Sequence, residues 1–220
     1  TFAFLSNLAA NNRKAWMDEH RAERDDALHN FTGIAITLHD YADRFDPYVA
    51  QARVKPKQNY TKFFQEPRER VGRAFFRADV DVFANAGDFS ESVGYYLHIE
   101  PENCYAGAAL FQPSKVALAR LRQRLINDPE GLADILTDTE FKETFPDGVV
   151  TRKVFDIVPD GFESSHPVAP YLIMVGLGCR HDLPDGLLLE DTAIDTLIDI
   201  FSTARPFVRF FVLLRAVPHC

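Results

Sequence analysis

The sequence predicts an α+β fold in a single domain, with an antiparallel, β-hairpin-built sheet packed by N-terminal, central and C-terminal helices. Three observations carry this. Apolar residues recur every three or four positions in the early, central and last parts of the chain, a spacing that only a helix turns into one face. Extended apolar stretches at 93–99 and 105–111 flank the short polar turn Glu100-Pro101-Glu102-Asn103, which reads as a hairpin. Strand signals cluster in the middle instead of alternating with helices, the α+β pattern and not the βαβ one.

The elements follow in order. Residues 1–10 are apolar but lack a basic leader and run into Asn11-Asn12-Arg13, so they read as a short helix and not as a signal peptide. Residues 12–26 are more polar and open the next helix or an adjoining one, anchored by Trp16. From Ala27 the apolar positions are Leu28, Phe31, Ile34, Ala35, Leu38, Tyr41, Ala42 and Phe45, one helical face that Pro47 stops after Asp46. Residues 74–83 read as a strand, with Ala74, Phe76, Ala78 and Val80 on one phase and Phe75, Arg77, Asp79 and Asp81 on the other. After Pro113, Ser114 caps a helix that should bury Val116, Leu118, Leu121 and Leu125. Asp128-Pro129 ends it and opens another with Leu132, Ile135 and Leu136, because Asp caps and Pro suits the first helical position. Residues 149–158 alternate as a further strand. The last helix carries Ile194, Leu197, Ile198, Phe201, Ala204, Val208, Phe211 and Leu214 behind Glu190-Asp191, where the macrodipole favours negative charge. Pro206 inside it should kink or split it.

Composition narrows the function classes. The 220 residues are 46% hydrophobic and 25% charged, which excludes disorder, collagen and coiled coil. No long Gly/Ser linker divides them into two domains. Lys plus Arg number 24 against 32 for Asp plus Glu, and a net charge of −8 makes a poor non-specific binder of nucleic acid or anionic membrane. No helix-turn-helix, zinc-finger or RNP pattern supports sequence-specific nucleic-acid binding. The longest apolar run, 171–179, contains two glycines and is about half the length of a bilayer span, so no membrane partner is expected. Cys104, Cys179 and Cys220 form no CxxC pair and no metal-ligand spacing, which suits reduced thiols in the cytoplasm. GxSxG, P-loop, HExxH and Rossmann signatures are missing, and neither cofactor nor metal is expected.

Three segments hold chemistry. If the hairpin loop is Pro101-Glu102-Asn103, Glu100 faces Cys104, His98 faces Ala106 and Tyr96 faces Ala108. Tyr96, His98 and Glu100 then share one face opposite small side chains, with room above the sheet. A histidine between a phenol and a carboxylate suits acid–base work near neutral pH, with Tyr96 as hydrogen-bond donor; the competing reading covers both with a helix. Between Arg53 and Arg77 lie eight basic and two acidic residues, so this stretch carries +6 and the remainder −14. Aromatics interleave it, a composition that holds phosphates or stacked bases, or else a solvated loop balanced by acidic neighbours. Lys62, Arg73, Arg77 and Tyr60 are its candidate ligand-binding residues. His166, held extended by Pro167, is the last candidate, against a capping or solvent-facing role.

Phe4-Leu5, Leu8, Asn11-Asn12-Arg13 with Trp16 and His20, Gly94-Tyr95-Tyr96-Leu97-His98-Ile99 with Pro101, Gly107 before a Pro-initiated helix, then Pro159, Gly161-Phe162 and His166-Pro167 occur in this order. In these the chain resembles, over nearly its whole length, the conserved hypothetical proteins grouped as domain of unknown function 2461. The Asn-Asn-Arg-x-x-Trp start and the Gly-Tyr-Tyr-Leu-His-Ile strand are the most specific pieces. The resemblance implies an intracellular protein and carries no activity with it. Members show a charged stretch of the type Arg-Asp-x-Arg-Phe-Ser-Lys-Asp-Lys-x-Pro-Tyr-Lys before the hairpin. Here Tyr60-Thr61-Lys62 and Pro67 match its Phe-Ser-Lys and Pro, while Lys57 and Asn59 stand at the preceding acidic and arginine positions. If those charges form a site in relatives, it is altered here, which weighs against catalysis more than against binding. The expectation is a domain that binds a small anion or a partner through the hairpin and the basic segment. The first alternative is an enzyme with His98 and Tyr96 as its acid–base pair and Arg73 or Arg77 holding an anionic group; the second is a structural or interaction protein.

Overall fold

The computed structural model describes residues 1–51, 60, 61, 63, 76–84, 93–110 and 112–212. Helices α1 (Phe2–Ala10), α2 (Lys14–Glu19), α3 (Arg21–Asp40), α4 (Ala42–Phe45) and α5 (Pro47–Ala50) precede a four-stranded antiparallel sheet. Its strands are β1 (Val80–Ala84), β2 (Gly94–Ile99), β3 (Cys104–Leu110) and β4 (Leu177–Leu183), in the order β1-β2-β3-β4. Between β3 and β4 come α6 (Lys115–Asn127), α7 (Pro129–Thr137), α8 (Thr139–Thr144) and α9 (Ala169–Leu172); a 3-10 turn (Asp185–Leu189) and α10 (Ala193–Val212) follow. The α+β class is as predicted. No helix among the described residues is long and apolar enough to cross a membrane.

Local chemistry explains the helix starts. Ser114 Oγ accepts from the Ala117 N–H, Asp128 from Gly131 and Asp138 from Phe141, each satisfying a donor that the first helical turn leaves open. Asp46 does the same for α5, so Pro47 ends one helix and begins another. The stripe expected from Ala27 to Phe45 is buried at Phe31, Ala35, Leu38, Ala42 and Phe45, with a break at Tyr41. The Asn-Asn-Arg start has a structural role. Asn12 mimics a strand residue, its side chain donating to the Phe76 carbonyl at 2.8 Å and accepting from the Phe76 N–H at 2.7 Å. Trp16 is buried and stacks on His20.

Several expectations change. Residues 149–158 do not form a strand; only Val150 and Val154 bridge, to Gly178 and Met174. Gly176, at φ 86°, turns the opposing chain out of the extended state between those bridges and breaks the ladder. The strand expected at 74–83 begins only at Val80; residues 74 and 75 lie outside the described residues. Val116 is exposed, and Ala117 with Leu121 and Leu125 forms the buried face of α6. Helix α10 runs unsplit through Pro206. Leu197, Phe201, Ala204, Phe207 and Val208 are packed beneath the sheet on both sides of that proline, and this burial outweighs the lost hydrogen bond.

The hairpin register differs by one residue from the expected one. Tyr96 pairs with Gly107, Leu97 with Ala106 and His98 with Tyr105. The turn holds four residues, closed by the Asn103 N–H on the Glu100 carbonyl, with Glu102 at φ 67°. Ala106 and Ala108 therefore lie on the face under α10, beside Tyr95 and Leu97, and give no room above His98.

Candidate functional site

The sheet has two unlike faces. On the helix side Tyr95 packs edge-on against Phe45 at 5.1 Å and tilts against Phe201 at 5.3 Å. The other face carries two rows that cross all four strands. One is Asp81, His98, Tyr105 and Asp182; the next is Phe83, Tyr96, Gly107 and Arg180. Alternation along each strand puts these side chains together.

The first row is a charge relay of fixed geometry. His98 Nδ1 lies 2.7 Å from Asp81 Oδ1, and its Nε2 lies 3.4 Å from Glu100 Oε2. The imidazole stacks on Tyr105 with ring centres 4.3 Å apart. Arg77 donates to both Asp79 and Asp81, the latter at 3.0 Å. Burial would raise the Asp81 carboxyl, but the hydrogen bond and charge of His98, with Arg77 and Arg152, outweigh it and hold the group below its usual range. Asp79, Asp81 and His98 place three donor atoms within 4.8 Å of one another, a metal-like spacing. Arg77 already spans both carboxylates, so a cation could bind there only by displacing it.

The depressed Asp81 carboxyl has a pH signature. Its stabilising contribution is complete above the ordinary aspartate value of about 3.9 and is lost as pH falls through the lower folded value. Asp81→Asn should therefore be destabilised at pH 7, with the gap to wild type closing below about pH 4. Denaturant titrations between pH 7 and 3 measure this, and a gap constant with pH would show that the Asp81 charge contributes nothing.

Beside the relay opens a cleft of about 350 Å³ lined by Tyr96, Tyr105, Asp147, Val150, Thr151, Arg152, Arg180 and Asp182. Tyr105 is its centre. Arg180 lies over the ring, its guanidinium carbon 4.0 Å from the centroid, and Arg152 lines the same cleft. Burial raises the Tyr105 phenol and Arg152 partly opposes this, so the group stays a neutral donor at pH 7. Tyr96 reaches across β3 at Gly107 and donates to the Cys179 carbonyl at 3.2 Å. A larger groove of about 710 Å³, on the helix side, is lined by Phe2, Ile34, Leu97 and Ile194 among others and by no carboxylate or guanidinium.

The family model for a conserved hypothetical protein, DUF2461, matches residues 1–210. The chain belongs to this family. No curated protein and no solved structure matches it. In this DUF2461 member the Gly-Tyr-Tyr-Leu-His-Ile strand is β2, which sends Tyr95 into the core and Tyr96 and His98 to the polar face.

Of the predicted site residues, Tyr96, His98 and Arg77 come together on that face. Arg77 spends its fork on Asp79 and Asp81. Tyr60 bridges to Val82 and packs against Phe31 on the helix side, away from the cleft. His166 accepts from the Val168 N–H and lines a separate open hollow with Ile157, Phe162 and Ile173. Lys62 and Arg73, with Lys57 and Asn59 of the stretch that departs from the family pattern, lie outside the described residues. Sequence reasoning missed Tyr105, Arg152, Arg180, Asp147 and the whole of β4. A signal was present: Leu177, Cys179 and Leu183 alternate with Arg180 and Asp182.

Proposed function

We propose that this chain is a single-domain cytoplasmic protein that binds a small molecule through an anionic group in the cleft between β4 and residues 147–152. The convergence of two arginines and a tyrosine in one cleft, Arg180 over the Tyr105 ring and Arg152 on the facing wall, carries this reading. Guanidinium forks match carboxylate and phosphate geometry, and the phenol adds a third donor. Cys104 and Cys179 are buried free thiols, each pushed up to about 12 chiefly by burial; they are inert and suit a reducing compartment. Binding is better supported than acid–base chemistry at His98. Both nitrogens of that ring face carboxylates, the ring is sealed under Tyr105, and it does not line the cleft.

A thermal-shift panel of inorganic phosphate and small carboxylic acids tests the reading. A ligand at a hundredfold excess over its Kd stabilises by about 2.7 kcal/mol, or ~5–10 °C for a chain of this size. Arg152→Ala with Arg180→Ala should abolish that shift and leave the unliganded melting temperature within about 2 °C of wild type. If no anion moves the wild-type transition, the reading fails.

A further inference from the structure

Each wall of the cleft carries one cation and one anion: Arg152 and Asp147 on the loop side, Arg180 and Asp182 on β4. On β4 the two are joined, Arg180 Nε donating to Asp182 at 2.5 Å. On the loop side they are not. The charge of Arg152 bears on the Tyr105 phenol, and Asp147 makes no hydrogen bond or ion pair among the described residues. The four charges sum to zero, so a bare anion held by the arginines brings an unbalanced charge beside Asp147. A polyphosphate brings several. A molecule carrying an ammonium a few bonds from its carboxylate leaves every charge matched, because the ammonium meets Asp147 as the carboxylate meets Arg152 and Tyr105.

Size points the same way. Ligand sites commonly run from roughly 300 to 1,000 Å³, and about 350 Å³ lies at the lower end. Val150 and the edge of Tyr96 offer limited apolar contact, and Thr151 offers a hydroxyl. We propose that the ligand is a compact zwitterion of the amino-acid type. This rests on the reading of the cleft as an anion site and names the chemistry of what enters it.

The test compares molecules that differ by one charge. L-alanine, L-serine and L-valine are titrated calorimetrically beside N-acetyl-L-alanine, which keeps only the anion, and L-alaninamide, which keeps only the cation. At least one zwitterion should bind about tenfold more tightly than either single-charge analogue. Asp147→Asn should weaken that zwitterion about tenfold, while N-acetyl-L-alanine binds at least as tightly as it does to wild type because the charge beside its carboxylate is gone. If N-acetyl-L-alanine or inorganic phosphate binds as tightly as the zwitterions, or Asp147→Asn is silent, the zwitterion proposal is overturned and the anion site stands. If neither these compounds nor phosphate nor acetate binds, both readings fall together.

Discussion

Gly107→Ala lowers the melting temperature by about 6–12 °C, the equivalent of roughly 3 kcal/mol for a protein of this length. A Cβ at this position would sit 2.1 Å from the Cys179 carbonyl oxygen and 3.0 Å from its carbon. Both are backbone atoms of the neighbouring strand, held in the β3–β4 ladder at the Gly107–Arg180 and Ala108–Cys179 pairs. They cannot yield as a side chain would. The bare backbone at 107 is also what allows Tyr96 to cross β3 to the Cys179 carbonyl, so the substitution disturbs the cleft along with the sheet. Gly33→Ala is the control. Its Cβ meets nothing within 4 Å on an exposed helix face, and the change should be neutral or stabilising by up to about 1 kcal/mol. Equal melting temperatures for wild type and Gly107→Ala would mean that the two strands are not so closely set.

The second large effect lies on the opposite face. Asp46→Ala should cost about 3 kcal/mol in chemical denaturation, the lower end of the range for breaking a buried charge pair. Asp46 is 1% exposed and joins three elements. It accepts from the Tyr95 hydroxyl of β2 at 2.8 Å, from Arg209 of α10, and from the Tyr48 N–H that it caps at 3.0 Å. Burial first, then the adjacent Asp46 charge, pushes the Tyr95 phenol well above its ordinary range and keeps it a donor. The Arg209 side chain is 41% exposed and regains water when its partner is removed, which is why the upper end of the range is not expected. Tyr95→Phe removes one hydrogen bond and should cost about 1–2 kcal/mol. A loss below about 1 kcal/mol for Asp46→Ala would show that the three contacts do not act together.

What could be read in advance was local. Ser114 and Asp128 announced their helices because a cap acts within three residues of itself. Tyr96 and His98 could be placed on one face because alternation is a property of the strand alone. The register could not, because the turn is set partly from a distance: the Glu102 N–H donates to Asp185 Oδ2, far along the chain, and this contact favours the four-residue turn. Strand β4 was hidden for a related reason. His181 interrupts its apolar phase, and it is placed on the helix side by the Thr144 carbonyl of α8, a partner invisible to any local window. The cleft takes Arg152 and Asp147 from a segment with no regular structure, where periodicity is silent, and Arg180 from the strand that was overlooked. Arg77 was noticed for its charge, but the two aspartates that take up that charge, Asp79 and Asp81, stand just past the end of the basic stretch.

The way the sheet stops has a consequence for self-association. An unprotected outer strand is a template on which another chain can extend. Beyond β1, the Thr61 N–H donates to the Asp81 carbonyl and the Thr61 hydroxyl accepts from the Asp81 N–H, so both outward backbone groups at this position are already taken and offer nothing to an incoming strand. Beyond β4, Val150 exchanges both of its backbone bonds with Gly178, after which the strand continues through Arg180 and Asp182, whose charges would have to be desolvated by an incoming strand. The same two residues that form one wall of the cleft thus guard the flank of the sheet against fibril-like growth.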